Sequence, residues 1–267
     1  MSAIIIPRTP LKQPRSRISV SRRWVPGLLA APVARAGALG LFDVHQGVAL
    51  ETLGTPSIVP TTDGLFAATG GSGAAYYKGA PLGWTSGDTT IVMVVQPTAT
   101  TQSGLYHVGT TDTGQPRLLI QQNSTAIAVY WDGAYRITSP LGAIDVGKQT
   151  IVGFSHNATT QEGVLYINGV RTGAASAALA NPYWYYLLGT GFPAVFPGSI
   201  GCAPLWARVL SDAEHAALGR NPWQIFDTDP IRIDSFPSDS IGISWSSLTA
   251  SGITPTTATL TIGGITR

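Results

Sequence analysis

Charge and cysteine are both scarce in this sequence. Of its 267 residues only 11% are charged, and cysteine occurs once, at Cys202. A single cysteine excludes disulfides within the chain, and the apolar residues around Cys202 predict a buried structural thiol. No apolar run reaches the roughly 18 residues that a membrane-spanning helix needs, so we expect neither such a helix nor a membrane partner.

The sequence also lacks the residue patterns of common enzyme classes. Glycoside hydrolysis usually requires two carboxylates in one cleft, but Glu51, Glu162 and Glu214 are isolated from one another. There is no G-x-S-x-G nucleophile elbow and no phosphate loop. A Ser-His-Asp triad stays open, because its members assemble from distant segments. We predict that the protein is not an enzyme.

Metal-ligating patterns are sparse as well. The four histidines are scattered, and none belongs to an H-x-x-x-H pair or a Cys/His cluster: His45, His107, His156 and His215. Zinc sites require such groupings, so the sequence predicts no metal site and no cofactor.

Basic residues are concentrated at the N-terminus. Seven lie within residues 1–36, where there is no acid, and the first acid is Asp43. The rest of the chain has nine basic and fourteen acidic residues, a net charge of −5. A basic arm therefore precedes a mildly acidic body. Because a polyanion would be repelled by that body, we consider nucleic acid an unlikely partner.

Five prolines in residues 1–36 disfavour helix and central strand, and favour an extended arm. Three interpretations of this arm are open. It is a solvated tail, or an export signal, or a segment that docks on a partner. The export signal is disfavoured by Pro26 and Pro32 in the apolar run and by Arg35 at the A-x-A-like site.

Docking is the interpretation that we adopt. The isoleucine run at the tip would add to a sheet edge of the partner, and the basic residues would face an acidic groove. The predicted docking residues are Ile4, Ile5, Ile6, Arg8, Lys12, Arg15, Arg17, Arg22 and Arg23.

The body has the pattern of a β-rich fold. Residues 89–96 are almost wholly apolar and predict a central strand that is buried on both faces. Asn168-Gly169 and Asp132-Gly133 predict tight hairpin turns. Further strands are predicted at residues 39–44, 48–53, 64–69, 105–109, 117–122, 126–131, 135–137, 149–156 and 196–206.

One short helix is predicted after the last of these strands. Ser211 and Glu214 have the spacing of a capping box, in which each side chain bonds a backbone N–H of the other. Gly219 is expected to end the helix, and Pro222 to prevent its continuation.

The end of this region resembles the closing strand of laminin-G-like, concanavalin-like jelly-roll domains. The matching residues are Gly198, Ile200, Trp206, Arg208, Leu210, Ser211 and Glu214. Residues 221–226 look like the ending found in many tailed-phage and prophage versions, and residues 24–29 resemble their entry segment. The resemblance implies an all-β, antiparallel jelly-roll β-sandwich.

We therefore divide the chain into three parts. Residues 1–36 are the basic anchoring arm, residues 37–226 the laminin-G-like sandwich, and residues 227–267 a C-terminal linker with a β-strand pair. The last part resembles the opening strands of a fibronectin type III domain. Because two strands are too few to be stable alone, they must pack on their own domain or pair with a neighbouring subunit. We favour pairing with a neighbouring subunit, which gives a homo-oligomer.

The resemblance implies a non-enzymatic structural virion protein of a tailed phage. The arm would dock on the major capsid or other virion proteins at the particle surface, and capsid or tail location stays open. The alternative is a lectin-like module that binds a host-surface glycan. Some laminin-G domains bind calcium through loop acids, so a calcium site at Asp112 or Asp132 remains an alternative. The candidate glycan or interface aromatics are Trp84, Trp131, Tyr135, Trp184 and Tyr185.

Overall fold

Short β-strands make up most of the chain in the computed structural model, which describes residues 18–35, 37–61, 64–70, 75–82, 87–109, 118–131, 133–179, 185–189, 194–228, 261–262 and 265–266. The strands are β1 (Ile18–Val20), β2 (Leu28–Ala30), β3 (Pro32–Ala34), β4 (Leu41–Asp43), β5 (Val48–Ala49), β6 (Glu51–Gly54), β7 (Ile58–Thr61), β8 (Gly64–Ala68), β9 (Ala75–Lys78), β10 (Thr89–Pro97), β11 (Ser103–Gly109), β12 (Leu118–Asn123), β13 (Ala126–Trp131), β14 (Ala134–Thr138), β15 (Thr150–His156), β16 (Glu162–Ile167), β17 (Val170–Ser176), β18 (Tyr185–Leu188), β19 (Gly198–Cys202), β20 (Leu205–Trp206), β21 (Phe226–Thr228), β22 (Thr261–Ile262) and β23 (Ile265–Thr266). The described helices are α1 (Asp212–Arg220) and the 3-10 helix η1 (Pro222–Ile225). Neither has the length and hydrophobicity of a membrane-crossing segment.

Within the described ranges, two large antiparallel sheets form the body. The larger has 12 strands, with the path β17-β16-β15-β10-β19-β3-β4-β5, to which β2, β20, β7 and β8 are joined. The smaller has 7 strands in the order β14-β13-β12-β11-β18-β9-β6. Apolar side chains of both sheets meet in one core cluster. The predicted all-β antiparallel sandwich is confirmed.

Strand β10 occupies the centre of the larger sheet, as its apolar sequence predicts. It pairs with β15 along one edge, and with β19 and β20 along the other. Ile91 and Met93 point into the core between the sheets. Val92 and Val94 point the other way, into a second cluster. Because both faces of the sheet are covered, both sets of alternate side chains must be apolar.

The second cluster lies on the outside of the larger sheet and is built around the closing helices. Its largest members are Trp24 and Trp206, whose ring centroids are 6.1 Å apart. Leu218 from α1 and Ile225 from η1 also belong to it. The helical segment at the end of the sandwich therefore packs on the sheet as a cover for its outer face.

The predicted Asn-Gly hairpin is confirmed. Ile167 pairs with Val170, so Asn168 and Gly169 form a two-residue loop between β16 and β17. Both have positive φ, 50° and 79° respectively, which fits the type I′ turn that matches strand twist. Trp131 likewise pairs with Ala134 across the Asp-Gly sequence.

The helix begins as predicted and ends differently. Ser211 is the N-cap, and the capping box with Glu214 is present. Gly219, however, lies inside α1, and Asn221 is the C-cap. A Cβ at Gly219 would overlap the carbonyl oxygen of Asn168. This glycine is therefore required by close packing of the helix on the hairpin turn, and not by helix termination.

The predicted boundary of the N-terminal arm is wrong. Strands β2 and β3 lie in the larger sheet, and Trp24 is buried. The indole Nε1 of Trp206 donates to the carbonyl of Trp24 at 2.7 Å, and Arg208 Nε donates to that of Pro26 at 2.9 Å. These strands tolerate the nearby prolines because each strand contributes only two or three residues to a sheet. The compact unit spans Arg17–Asp229.

A two-stranded ribbon brings the ends of this unit together. Strand β1 pairs antiparallel with β21, so that Ile18 faces Thr228. Separately, β22 and β23 form an antiparallel pair near the C-terminus. The other residues of the predicted C-terminal segment lie outside the described ranges.

Candidate functional site

A continuous row of side chains crosses the outer face of the smaller sheet. Directly paired residues of neighbouring strands lie on the same face of a sheet, and the strand register defines seven members, one from each strand. In sheet order they are Tyr135, Tyr130, Leu119, His107, Leu187, Lys78 and Glu51. Alternate residues of the same strands, such as Tyr106 and Ile120, face the core. The row therefore faces away from the second sheet.

The centre of this row is buried although it lies outside the core. His107, Leu119 and Leu187 are at most 3% exposed, yet none belongs to either described core cluster. The ends are more open, since Tyr135 is 52% exposed. This row, together with its neighbours Gln121 and Tyr185, is called the outer-face site below.

His107 is a buried imidazole without hydrogen bonds. Neither Nδ1 nor Nε2 has a partner in the structure as described. Burial lowers the pKa of His107 to about 4, so the ring is neutral at pH 7. A neutral imidazole has one N–H donor and one acceptor nitrogen. Unpaired polar atoms in this setting are unfavourable, so the buried ring of His107 keeps hydrogen-bonding groups that the fold does not use.

Gln121 provides a second unpaired polar group on this face. It lies two residues beyond Leu119 on β12 and is fully buried. Its Oε1 accepts a 3.0 Å hydrogen bond from the hydroxyl of Tyr135, but its Nε2 has no partner among the described residues. The cross-strand neighbours Gly104 and Ala128 have no polar side-chain atoms. Neither neighbour can therefore accept a hydrogen bond from the Gln121 amide through its side chain.

Tyrosine rings flank the buried polar groups. Tyr130 and Tyr135 lie edge to face, with ring centroids 5.4 Å apart and an interplanar angle of 71°. At the other side, Tyr185 follows the same face of β18 as Leu187, and the ammonium of Lys78 lies 4.8 Å from the centre of its ring. Lys78 also lies 3.8 Å from Glu51. The outer-face site thus combines aromatic rings, neutral polar groups and one ion pair at its end.

The predicted glycan or interface aromatics lie in different parts of the structure. Tyr135 and Tyr185 lie on the outer face, whereas Trp84 and Trp184 are outside the described residues. Trp131 was a wrong choice, because its side chain is fully buried in the core and its Nε1 donates to the carbonyl of Ala177 at 3.1 Å. Alternation along β13 turns Trp131 inward when Tyr130 points outward.

Most of the predicted docking residues cannot be placed. Ile4, Ile5, Ile6, Arg8, Lys12, Arg15 and Arg17 are outside the described residues. Arg22 and Arg23 lie exposed in the turn between β1 and β2, and the guanidinium of Arg23 lies 4.9 Å from the centre of the Trp24 ring. These two arginines therefore belong to the surface of the sandwich and not to a separate arm.

Sequence analysis missed His107 and Gln121 as site residues. Each is a polar residue inside an otherwise apolar strand, in SGLYHVG and LLIQQN. Such an interruption is the signal that would have found them. It does not say by itself which face the side chain occupies, because that depends on the register with neighbouring strands.

A second polar chain joins helix α1 to the larger sheet. His215 Nε2 lies 2.8 Å from Ser155 Oγ, which lies 2.8 Å from Thr90 Oγ1. The ring of His215 stacks on Tyr166 at 3.7 Å, and the Tyr166 hydroxyl donates to Asp212 at 2.6 Å. Here the carboxylate bonds the tyrosine and not the histidine, so the order differs from that of a Ser-His-Asp triad.

Within the described residues, no group of three or more His, Cys, Asp or Glu side chains could hold a metal ion. Asp112 and Asp132 lie outside them, so calcium stays a prediction. Cys202 is a buried free thiol, and burial raises its pKa. This agrees with the predicted structural role.

The two sheets, their shared core and the closing helix define a concanavalin-like sandwich. The chain belongs to the Laminin_G_3 family, the concanavalin A-like lectin/glucanases superfamily, whose family model matches residues 69–214. No curated protein matches the chain.

Several solved structures share this fold at low identity. The receptor-binding domain of the botulinum neurotoxin C/D mosaic serotype is 11% identical with a TM-score of 0.56, and the match covers 73% of this chain and 51% of that one. The binding domain of Paraclostridial Mosquitocidal Protein 1 is 14% identical with a TM-score of 0.54, and the match covers 74% of this chain and 52% of that one. Domain 4 of the arabinanase AbnA from Geobacillus stearothermophilus is 16% identical with a TM-score of 0.53, and the match covers 72% of this chain and 98% of that domain. The chain thus spans about half the length of the matched toxin domains and almost all of the arabinanase domain.

Proposed function

We propose that this protein is a carbohydrate-binding module and that the outer-face site holds the sugar. The observation that carries the proposal is a pair of buried side chains with unpaired polar atoms, His107 and Gln121, on the same sheet face as the exposed ring of Tyr135. Binding sites commonly combine a few convergent polar groups with aromatic surface. Here those groups lie on the sheet face that is not used by the sandwich core.

Each part of the site has a role in sugar binding. The exposed ring of Tyr135 would pack against the C–H face of a pyranose or furanose. A sugar hydroxyl both donates and accepts hydrogen bonds, so it would satisfy the acceptor nitrogen of His107 or the Nε2 group of Gln121. Satisfying a buried orphan group recovers free energy that the free protein lacks.

The matched structures are consistent with this proposal. Domain 4 of AbnA was solved in complex with arabinotriose. A botulinum neurotoxin DC binding domain was solved in complex with SialylT, and another with rat synaptotagmin II. These complexes belong to those proteins. They support a search for glycan ligands first, with protein receptors as the outcome to consider if no glycan binds.

A glycan array probed with the full chain tests the proposal. Wild-type protein should bind at least one glycan, and Tyr135→Ala should weaken that binding by about tenfold or more because stacking surface is lost. Leu141→Ala is the matched control, since Leu141 is also highly exposed but lies in the loop after β14. Absence of binding to every glycan, or equal binding by Tyr135→Ala and wild type, would overturn the proposal.

We further propose the predicted virion role, with the sandwich displayed non-enzymatically on a tailed-phage particle. Two observations favour it. Residues 1–16 contain Arg8, Lys12 and Arg15 without an acid, and they precede the compact unit that starts at Arg17. Ile18 also pairs with Thr228, so the N-terminal and the C-terminal segments join the compact unit at neighbouring positions.

Deletion of residues 1–16 tests this role. The deletion must stop there, because Ile18 pairs with Thr228 and Trp24 belongs to a core cluster. The shortened protein should keep the melting temperature of the full chain and lose incorporation into particles. Normal incorporation of the shortened protein would contradict anchoring by the arm.

A further inference from the structure

The charges of the outer-face site lie at one end. Glu51 and Lys78 are the charged members of its seven-residue row, and their side chains are 64% and 19% exposed. They approach to 3.8 Å, and Lys78 lies over the Tyr185 ring. The cation of this row is therefore already close to a carboxylate and an aromatic face.

Among the described members of the row, none at its centre carries a charge that could compensate a ligand charge. His107 lies between Leu119 and Leu187 in the row, and all three side chains are buried. A carboxylate or sulfate placed there would lose its hydration without gaining a counter-charge. Burial of an unpaired charge is much less favourable than burial of a hydrogen-bonded neutral group.

The free hydrogen-bonding atoms instead match hydroxyl groups. His107 is neutral at pH 7 because burial lowers its pKa to about 4, so the ring keeps one acceptor nitrogen. A hydroxyl can donate to that nitrogen, whereas a carboxylate cannot. Gln121 Nε2 supplies donors that a hydroxyl oxygen accepts.

Tyr135 is hydrogen-bonded to the oxygen end of the Gln121 amide. Its hydroxyl donates to Gln121 Oε1 at 3.0 Å, so the amide oxygen is engaged and the Nε2 group is left unpaired. Without this bond the amide could turn by 180° and present its oxygen. Tyr135 would then still offer its ring, but the donor would no longer be held in place.

We infer that the ligand of the outer-face site is an uncharged saccharide, and that Tyr135 is a positioning residue that orients Gln121 as a hydrogen-bond donor to it. This inference rests on the proposed carbohydrate-binding function and specifies the ligand class of the same site.

A glycan array that contains neutral glycans and their sialylated, sulfated and uronic-acid counterparts tests the ligand class with the full chain. Neutral members should bind, and their acidic counterparts should bind about tenfold more weakly or not at all. Preferential binding of acidic members, abolished by Tyr135→Ala, would overturn this inference and leave the proposed function standing. Absence of any glycan binding would overturn both.

Calorimetric titration with the best-bound array glycan tests the positioning role. Tyr135→Phe keeps the ring and removes the hydroxyl, and should weaken binding by about tenfold, the effect of one lost hydrogen bond. Gln121→Leu should weaken it similarly. The double variant should be no weaker than Gln121→Leu alone, because both changes remove the same donor.

The matched control is Tyr166→Phe. It removes a tyrosine hydroxyl that makes a 2.6 Å hydrogen bond on the larger sheet, to Asp212, and should leave glycan affinity unchanged. Melting temperatures of all variants show whether the fold is retained. If a folded Tyr135→Phe bound as tightly as wild type, or if the two losses simply added, the positioning role would be wrong.

Discussion

The hydroxyl of Tyr186 donates a 3.0 Å hydrogen bond to the carboxylate of Asp43, and this contact connects the two sheets of the sandwich. Oδ1 of Asp43 accepts from the backbone N–H groups of Ala31, His45 and Gln46 at 2.9 to 3.0 Å. Burial, and secondarily the Asp43 charge, hold the pKa of Tyr186 well above its usual value, so the hydroxyl remains a donor. One buried acid thus connects β4, and the residue that precedes β3, to the opposite sheet.

Tyr186→Phe should lower the free energy of unfolding by about 1–3 kcal/mol, because one oxygen of the buried carboxylate loses its partner. Urea denaturation measures the change. Tyr185→Phe is the control, since this neighbour lies on the outer face and is only half-buried, and its effect should stay within about 0.5 kcal/mol. Equal effects of the two substitutions would show that the Asp43 contact contributes nothing.

Gly219→Ala should destabilise the protein although it improves helix propensity. In a free helix the change gains about 1 kcal/mol, but here the new Cβ would overlap the Asn168 carbonyl and lie 2.7 Å from the Cα of Gly169. The expected net loss is about 1–3 kcal/mol, as for other overpacked sites.

Thermal unfolding gives the sign of the Gly219→Ala effect directly. Ala213→Gly, at an exposed position of α1, serves as the reference for propensity alone and should cost about 1 kcal/mol. A rise in melting temperature for Gly219→Ala would mean that the helix moves away from the hairpin turn at little cost.

Ser211→Ala should cost about 1 kcal/mol of stability, the usual penalty for losing an N-cap. The Ser211 side chain accepts from the Glu214 N–H at 3.3 Å, and Glu214 accepts from the Ser211 N–H at 2.8 Å. Ser211→Asp should restore most of the loss, because aspartate caps equally well. Differential scanning calorimetry of the three proteins checks this, and unchanged melting in Ser211→Ala would contradict the cap.

Stability should fall when the pH drops from about 6.5 to about 4. Burial lowers the pKa of His215 to about 4, although Asp212 and Glu214 oppose the shift, and burial has the same effect on His107. The unfolded chain therefore binds protons at a higher pH than the folded chain does. Each histidine makes its full contribution to the free energy of unfolding at a pH above its pKa in the unfolded chain. This contribution decreases as the pH falls toward the pKa in the folded chain, by roughly 3 kcal/mol per histidine.

Urea denaturation at several pH values between 7.5 and 4 measures this dependence. His215→Gln should reduce the slope of stability against pH, whereas His45→Gln, at an exposed position, should not. A slope that His215→Gln leaves unchanged would show that this histidine does not stay neutral in the folded protein.

The C-terminal segment is expected to mediate self-association. Residues 257–262 alternate between threonine and apolar side chains, so one apolar face needs a cover. Sedimentation of the full chain should show an oligomer, and a chain that ends at Asp229 should sediment as a monomer. The end point retains Thr228, which pairs with Ile18. Two monomers, or two identical oligomers, would contradict exchange of this segment between subunits.

Local patterns were sufficient for the elements whose structure depends on neighbours in sequence. The all-apolar β10, the Asn168-Gly169 turn and the Ser211 cap follow from side-chain alternation, positive φ and a three-residue spacing respectively. The fold class follows as well, because such strands and turns recur along the whole body. The closing motif around Trp206 indicated the type of sandwich.

Tertiary structure alone decided what depends on distant partners. Residues 18–35 look like a tail in sequence, but β19, β20 and β21 lie beside them. In the sequence Gly219 is typical of a helix end, whereas in the structure it is required because the hairpin turn packs against the helix there. His107 and Gln121 became site candidates only when the strand register placed them on one face, because a shift by one residue reverses every side chain of a strand. Sequence determined which elements form, and long-range packing determined which surfaces remain available for binding.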